Sequence, residues 1–344
     1  MTSTTIGILQ RGRRLRRGWR RAMIGGLLAL LAVCFLLALM LGQSVTPPAD
    51  VLRVLLGGDV AGASFTVGQL RLPRAVISIL AGMCFGMGGA AFQVMLRNPL
   101  ASPDIIGISA GASAAAVFAI VFLSLDGASV SGIAIAAGLG VALLIYALSF
   151  KGGVAGSRLI LVGIGISAMI HSFIAYALAR APAWDLQEAM RWLTGSVNGA
   201  RLDQAGLLLL VLLVLGGLLL ARSRDLEMLR MGDDVASALG VRVGMTRMTV
   251  ILGAVGLIAV ATATTGPIAF TAFLSGPIAA RVVGSHGSVL VPAALVGALL
   301  VLTGDYAGQF LLPGRYPVGV VTGALGAPFL IFLIIRANRT GGTL

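Results

Sequence analysis

Fixed charge is scarce in this sequence: Asp, Glu, Lys and Arg make up 11% of its 344 residues, and one lysine, Lys151, stands among the 25 basic positions. A water-facing globule carries about a quarter charged residues, so a soluble fold is excluded. The hydrophobic fraction of 58% and a mean hydropathy of +1.01 identify an integral membrane protein. Lys151 is followed by Gly152, so no Gly-Lys-Ser/Thr loop is present and ATP hydrolysis by this chain is excluded. Aromatics amount to 6% and the basic residues lie between apolar runs, which sets aside nucleic-acid binding despite a net charge of +13. Cysteine is limited to Cys34 and Cys84, each inside an apolar run. They form no disulfide framework or metal-ligand spacing and read as core residues. No metal-ligand cluster, nucleophile–base pair or paired carboxylates suggest an enzyme.

What is present is apolar sequence in long runs. Windows at 22–42, 75–96, 105–125, 129–149, 159–179, 204–221, 248–264, 267–283, 289–312 and 317–335 predict an all-α integral membrane fold, a polytopic bundle of about ten transmembrane helices. As a single helix, 248–283 would be about 54 Å long, beyond a ~30 Å hydrocarbon core, and Gly266-Pro267 is its natural break. The opening "RGRRLRRGWRRAM" and the apolar run after it lack a small-x-small cleavage site and read as a retained first span. With an even count both termini share a side, and the arginine-rich start makes it cytoplasmic. Then 18 basic residues lie inside, and Arg53, Arg71, Arg74, Arg180, Arg191, Arg201 and Arg315 lie outside. The expected organisation is a basic tail over 1–21, one transmembrane domain over 22–336 and a C-terminal tail over 337–344. Glycine is abundant, at 48 residues, and pairs four apart such as Gly82/Gly86 and Gly107/Gly111 predict close helix approach.

Four places carry candidate function. In "RLPR", 71–74, Pro73 predicts a helix start, which puts Arg71 and Arg74 on the first turn, against the helix dipole and on the outer side. They read as anchors to lipid phosphates or as a docking point for an acidic partner. "RNPLASPDIIGISAGAS", 97–113, has two prolines that disfavour helix at Asn98 and Ser102, with Asp104 as a cap for the next helix. Irregular backbone at membrane depth implies a constriction lining a path. In the loop 221–247, Gly232-Asp233-Asp234 starts a short helix that Gly240 ends, and Val235, Ala238 and Leu239 form an apolar face suited to a partner's groove. The intramembrane polar residues Gln93, His171 and Asp305 read as structural hydrogen-bonding groups, interhelical in the case of His171. A rival reading makes His171 or Asp305 the relay of a proton-coupled secondary transporter.

"RLPR", "RNPLASPDIIGISAGA", "GDDVASALGV", "TGPIAF" and "YPVGVVTGALGAPFL" occur in the order and spacing of the FecCD family, permeases of ABC importers for iron-siderophores, haem and cobalamin, which the chain resembles from about residue 50 to 336. The resemblance implies ten spans with both ends inside the bacterial inner membrane, and ferric siderophores as the commonest cargo. It implies a second permease copy or paralogue, two ATPase subunits that hold the ATP and magnesium, and a periplasmic binding protein, with no cofactor on this chain. By the same resemblance Arg71 and Arg74 dock the binding protein, and Asn98, Pro99, Leu100 and Ser157 form the cytoplasmic gate. Gly232, Asp233, Asp234, Val235, Ala236, Leu239, Gly240 and Val241 belong to the helix that seats in the ATPase. Two departures stand out: Gly276-Pro277 where the family has Pro-His, and Arg315-Tyr316-Pro317 where it has Glu-Leu-Pro.

Overall fold

The structure is a computed structural model describing residues 3–102, 107–149, 156–284 and 287–339. Its helices are α1 (Ser3–Met40), α2 (Pro48–Leu55), α3 (Leu72–Leu96), α4 (Ile108–Leu123), α5 (Gly127–Ser149), α6 (Gly156–Arg180), α7 (Ala183–Thr194), α8 (Leu202–Val211), α9 (Gly217–Ala221), α10 (Ser223–Leu229), α11 (Asp233–Ala238), α12 (Val243–Thr265), α13 (Thr271–Val283), α14 (Leu290–Phe310) and α15 (Val318–Arg339). Two π-helical segments, Ser64–Arg71 and Leu212–Gly216, join α3 and connect α8 to α9. Among the described residues, seven helices are long and apolar enough to cross a membrane: Arg14–Met40, Ser64–Leu96, Gly127–Ser149, Arg158–Arg180, Leu202–Ala221, Val243–Thr265 and Leu290–Phe310. Shorter apolar helices at Ser109–Leu123, Thr271–Val283 and Val318–Phe332 fall on the other three sequence windows. The break at Gly266-Pro267 is as expected, between the end of α12 and the start of α13.

The start of α3 differs from the expectation. Pro73 does not open a helix, because the chain is already helical from Ser64 and the Leu72 N–H reaches back to the Val67 carbonyl, five residues earlier. A π-turn widens the backbone at the point where proline would otherwise crowd the preceding turn. Arg71 and Arg74 therefore lie within a continuous helix, and the dipole objection to them falls away.

α3 is the hub, packed between α12, α13 and α14, with Ile77, Phe85, Phe92 and Met95 fully enclosed. Its glycines set its distance from α14: a β-carbon on Gly82 or Gly86 would run into the backbone of Gly297 or Ala293. Such close approach replaces the hydrophobic drive that lipid cannot supply. A second apolar cluster joins α4, α5, α6 and α7 through Ala116, Val117, Ala134, Ile174 and Ala189. Cys84 is core, as expected, while Cys34 is only half-buried.

Gln93 accounts for one departure from the family pattern. Pro277 lies inside α13, and having no N–H it leaves the carbonyl of Phe273, four residues back, without its helical partner. The side-chain amide of Gln93 donates to that carbonyl at 2.9 Å. Gly276 leaves the room, since a β-carbon there would strike the Gln93 carboxamide.

Candidate functional site

At one end of the bundle an open basin of about 560 Å³ is lined by Arg71, Arg74, Asn198, Arg201, Asp305 and Arg315, among others. Arg71 turns away from its own helix toward the end of α1. It donates to the carbonyls of Leu39 at 2.9 Å, Met40 at 3.0 Å and Ser44 at 2.7 Å, so its charge closes the negative end of that helix dipole. Arg74 forms a two-armed pair with Asp305, both contacts at 2.6 Å, and its remaining nitrogen meets Asn198 Oδ1 at 3.0 Å. Asp305 also accepts from Gln309 at 2.8 Å. The pair is largely buried, with 19% of the Arg74 side chain and 6% of the Asp305 side chain exposed. Asp305 thus has the structural partner expected of it. Fully engaged by three donors, it is a poor carboxylate for a proton relay. The exposed cations of the basin are Arg201, paired with its neighbour Asp203, and Arg315.

A cavity of about 750 Å³ lies between α4, α6, α13 and α15, and Leu100, Ser109, Ser113, His171, Phe270 and Phe273 are on its wall. His171 is not interhelical: its Nδ1 donates to the Ser167 carbonyl of its own helix at 2.7 Å. Phe270 holds φ at 60°, a left-handed conformation costing a side-chain-bearing residue about 1–2 kcal/mol. Its ring lies against Gly326, where a β-carbon would collide with it.

The expected gate residues separate here. Asn98 turns the chain, its Oδ1 accepting from the Leu100 N–H at 2.8 Å. Leu100 then faces the large cavity, while Asn98 and Pro99 line a smaller one of about 300 Å³ with Gln93, Arg97, Arg230 and Pro277. The segment to Ser102 is non-helical as expected, and Asp104 lies outside the described residues. Ser157 belongs to the first turn of α6 rather than to a loop, and its side chain lies outside the described residues.

Beside that smaller pocket is α11, ended as its sequence predicts. Gly240, with φ at 88°, donates to the Ser237 carbonyl at 2.9 Å, and Val241 donates to the Ala236 carbonyl at 3.0 Å. These two bonds make a Schellman cap, with Ala236 and Val241 as its buried contact. The cap leaves the opposite face bare: Val235 is 42% and Leu239 56% exposed, and Asp234 is exposed beside them. Asp233, 39% exposed at its side chain, is paired instead. Its carboxylate meets Arg97 at 2.7 Å and Arg247 at 2.8 Å, tying α11 to the end of α3 and the start of α12. Gly232 enters the helix at φ 112°.

Sequence reasoning misses both ion-pair systems. Arg74 and Asp305 are 231 positions apart, and Arg97 and Asp233 are 136 apart. The one available signal is charge itself, since ionisable residues in or beside apolar windows need partners.

A helical bundle with several spanning segments, a large cavity among its helices, a basic basin at the start of α3 and a bare helix tip near its end is the build of a multi-pass membrane permease. The chain belongs to the FecCD transport family, which it matches over residues 30–336. It is 37% identical to the ferric enterobactin transport system permease protein FepG of Escherichia coli (strain K12), over 93% of this chain and 98% of that protein. It is 39% identical to the achromobactin transport system permease protein CbrC of Dickeya dadantii (strain 3937), over 91% and 90% respectively. Among solved structures it resembles one described as an inward-facing conformation of a metal-chelate type ABC transporter. That match has a TM-score of 0.82 at 25% identity and covers 92% of this chain and 99% of the other.

Proposed function

We propose that this chain is the permease subunit of an ABC importer that carries a ferric chelate of the siderophore type across the bacterial inner membrane. In this reading the ten apolar segments all span, both termini are cytoplasmic, and the basin faces the periplasm. A second permease copy or paralogue completes the channel, a binding protein delivers the chelate at the basin, and two ATPase subunits holding ATP and magnesium seat on α11. The names of the relatives support the cargo. The positive basin supports an acidic partner, with Arg201 and Arg315 as its reachable charges and Arg71 and Arg74 holding the floor beneath them. Energy enters as differential affinity: nucleotide-bound ATPase favours one arrangement of the permease over another.

The observation that carries the reading is the bare apolar face of α11, held outward by a cap that buries only Ala236 and Val241. An apolar tip beside a gate, on an element too short to fold alone, is suited to a partner's groove. The test is co-purification of the permease with its ATPase, followed by uptake into vesicles. Leu239→Asp together with Val235→Asp should lose the ATPase while the permease stays monodisperse. Retention of the ATPase by that double variant would remove the assignment. Ferric siderophore uptake identifies the cargo, and uptake of haem or cobalamin instead would replace it.

A further inference from the structure

We propose that Asp233 and Arg97 form the link through which movement of α11 reaches the gate, so that Asp233 is a positioning residue rather than a contact for the ATPase. This rests on the permease reading above and adds the internal route. Within the "GDD" start of α11 the two carboxylates are divided in role: Asp234 is exposed, whereas Asp233, with 39% of its side chain exposed, is paired with two guanidiniums. One of these, Arg97, is the residue at which α3 ends, and its backbone is left-handed at φ 55°. Such strain in a non-glycine residue persists where surrounding contacts hold it, and the 2.7 Å bond to Asp233 is such a contact.

The next residue begins the gate turn. Asn98 donates its N–H to the Gln93 carbonyl at 3.1 Å and holds the Leu100 N–H with its side chain at 2.8 Å. Leu100 reaches the wall of the large cavity. A continuous path therefore runs from Val235 and Leu239 on the outer face of α11, through Asp233 and Arg97, to the Asn98 turn and Leu100. Arg247, 15% exposed, reaches both carboxylate oxygens, Oδ1 at 3.0 Å and Oδ2 at 2.8 Å, and ties the pivot to α12. A displacement of α11 that left Arg97 in place would break a charge-assisted bond between two side chains about two-fifths exposed, so the turn that starts at Arg97 is biased to move with it.

The experiment uses the assembled transporter in proteoliposomes with its ATPase and binding protein, and reads three quantities: ATPase retention, ATP hydrolysis and uptake per ATP. Asp233→Asn and Arg97→Gln should keep the ATPase and hydrolyse ATP within about twofold of the unaltered protein. Uptake per ATP should fall roughly tenfold, the scale expected for cutting one link of a coupled network. Arg97→Lys should recover most of the loss, because it keeps the charge. Arg97→Gln leaves the Arg247 pair in place to hold α11, so it carries the test if Asp233→Asn yields no monodisperse permease. Normal uptake per ATP in Arg97→Gln would overturn the link. Loss of the ATPase by Asp233→Asn, as for Leu239→Asp, would make Asp233 a docking residue and overturn it equally. Absence of ATP-driven uptake in the unaltered assembly would instead overturn the permease reading.

Discussion

Replacing Asp305 by alanine leaves the Arg74 guanidinium facing Asn198 alone, at a position where 19% of its side chain reaches water. Removing one partner of a buried ion pair costs about 3–5 kcal/mol, because the other charge stays behind without compensation. The basin opens on the arginine side, so the lower end applies and Asp305→Ala should cost about 3 kcal/mol. Asp305→Asn keeps the shape and one acceptor and should cost roughly half as much. The double variant Arg74→Met/Asp305→Leu removes both charges and should lie closer to the unaltered protein than Arg74→Met or Asp305→Leu alone. Equilibrium unfolding in detergent micelles supplies the four corners of the cycle. A coupling energy near zero would refute the pairing argument. If Asp305→Asn abolished transport at full stability, proton transfer rather than packing would be the role of this carboxylate. The same geometry makes Arg74→Glu unsuitable as a docking probe, since it would set two carboxylates against each other in the floor of the basin.

Gln93→Leu should cost about 1–3 kcal/mol by orphaning the Phe273 carbonyl, and adding Pro277→Ala, which restores a helical N–H, should recover part of it in the same unfolding assay. Arg201→Glu with Arg315→Glu should weaken binding-protein association most at low salt, because both charges face solvent and are screened over about 10 Å at 0.1 M salt. Association that does not vary with salt would place the docking surface elsewhere.

Much of this molecule is legible in one dimension. Long apolar runs locate the spanning helices because lipid demands internally satisfied backbone over a fixed thickness. The ends of α11 are readable from Gly232 and Gly240 because capping is local chemistry. The helix start expected at Pro73 fails for a related reason: proline at a first turn and proline after a π-turn look alike until the preceding residues are known to be helical. Asn98 sits in irregular backbone as its sequence predicts, yet its separation from Leu100 onto different cavities depends on where α13 and α4 pass, which no local pattern encodes.

Membrane class, helix positions, the irregular segment after α3 and family membership follow from the sequence by itself, since each rests on hydropathy, spacing or motif order along the chain. The tertiary structure alone decided what each charge is for. Arg71 closes a helix 31 residues upstream, Arg74 meets Asp305, and Asp233 pairs with Arg97 and Arg247. A charge takes its meaning from whichever opposite charge or dipole packing brings within about 3 Å, and packing sets that distance between residues far apart in the chain.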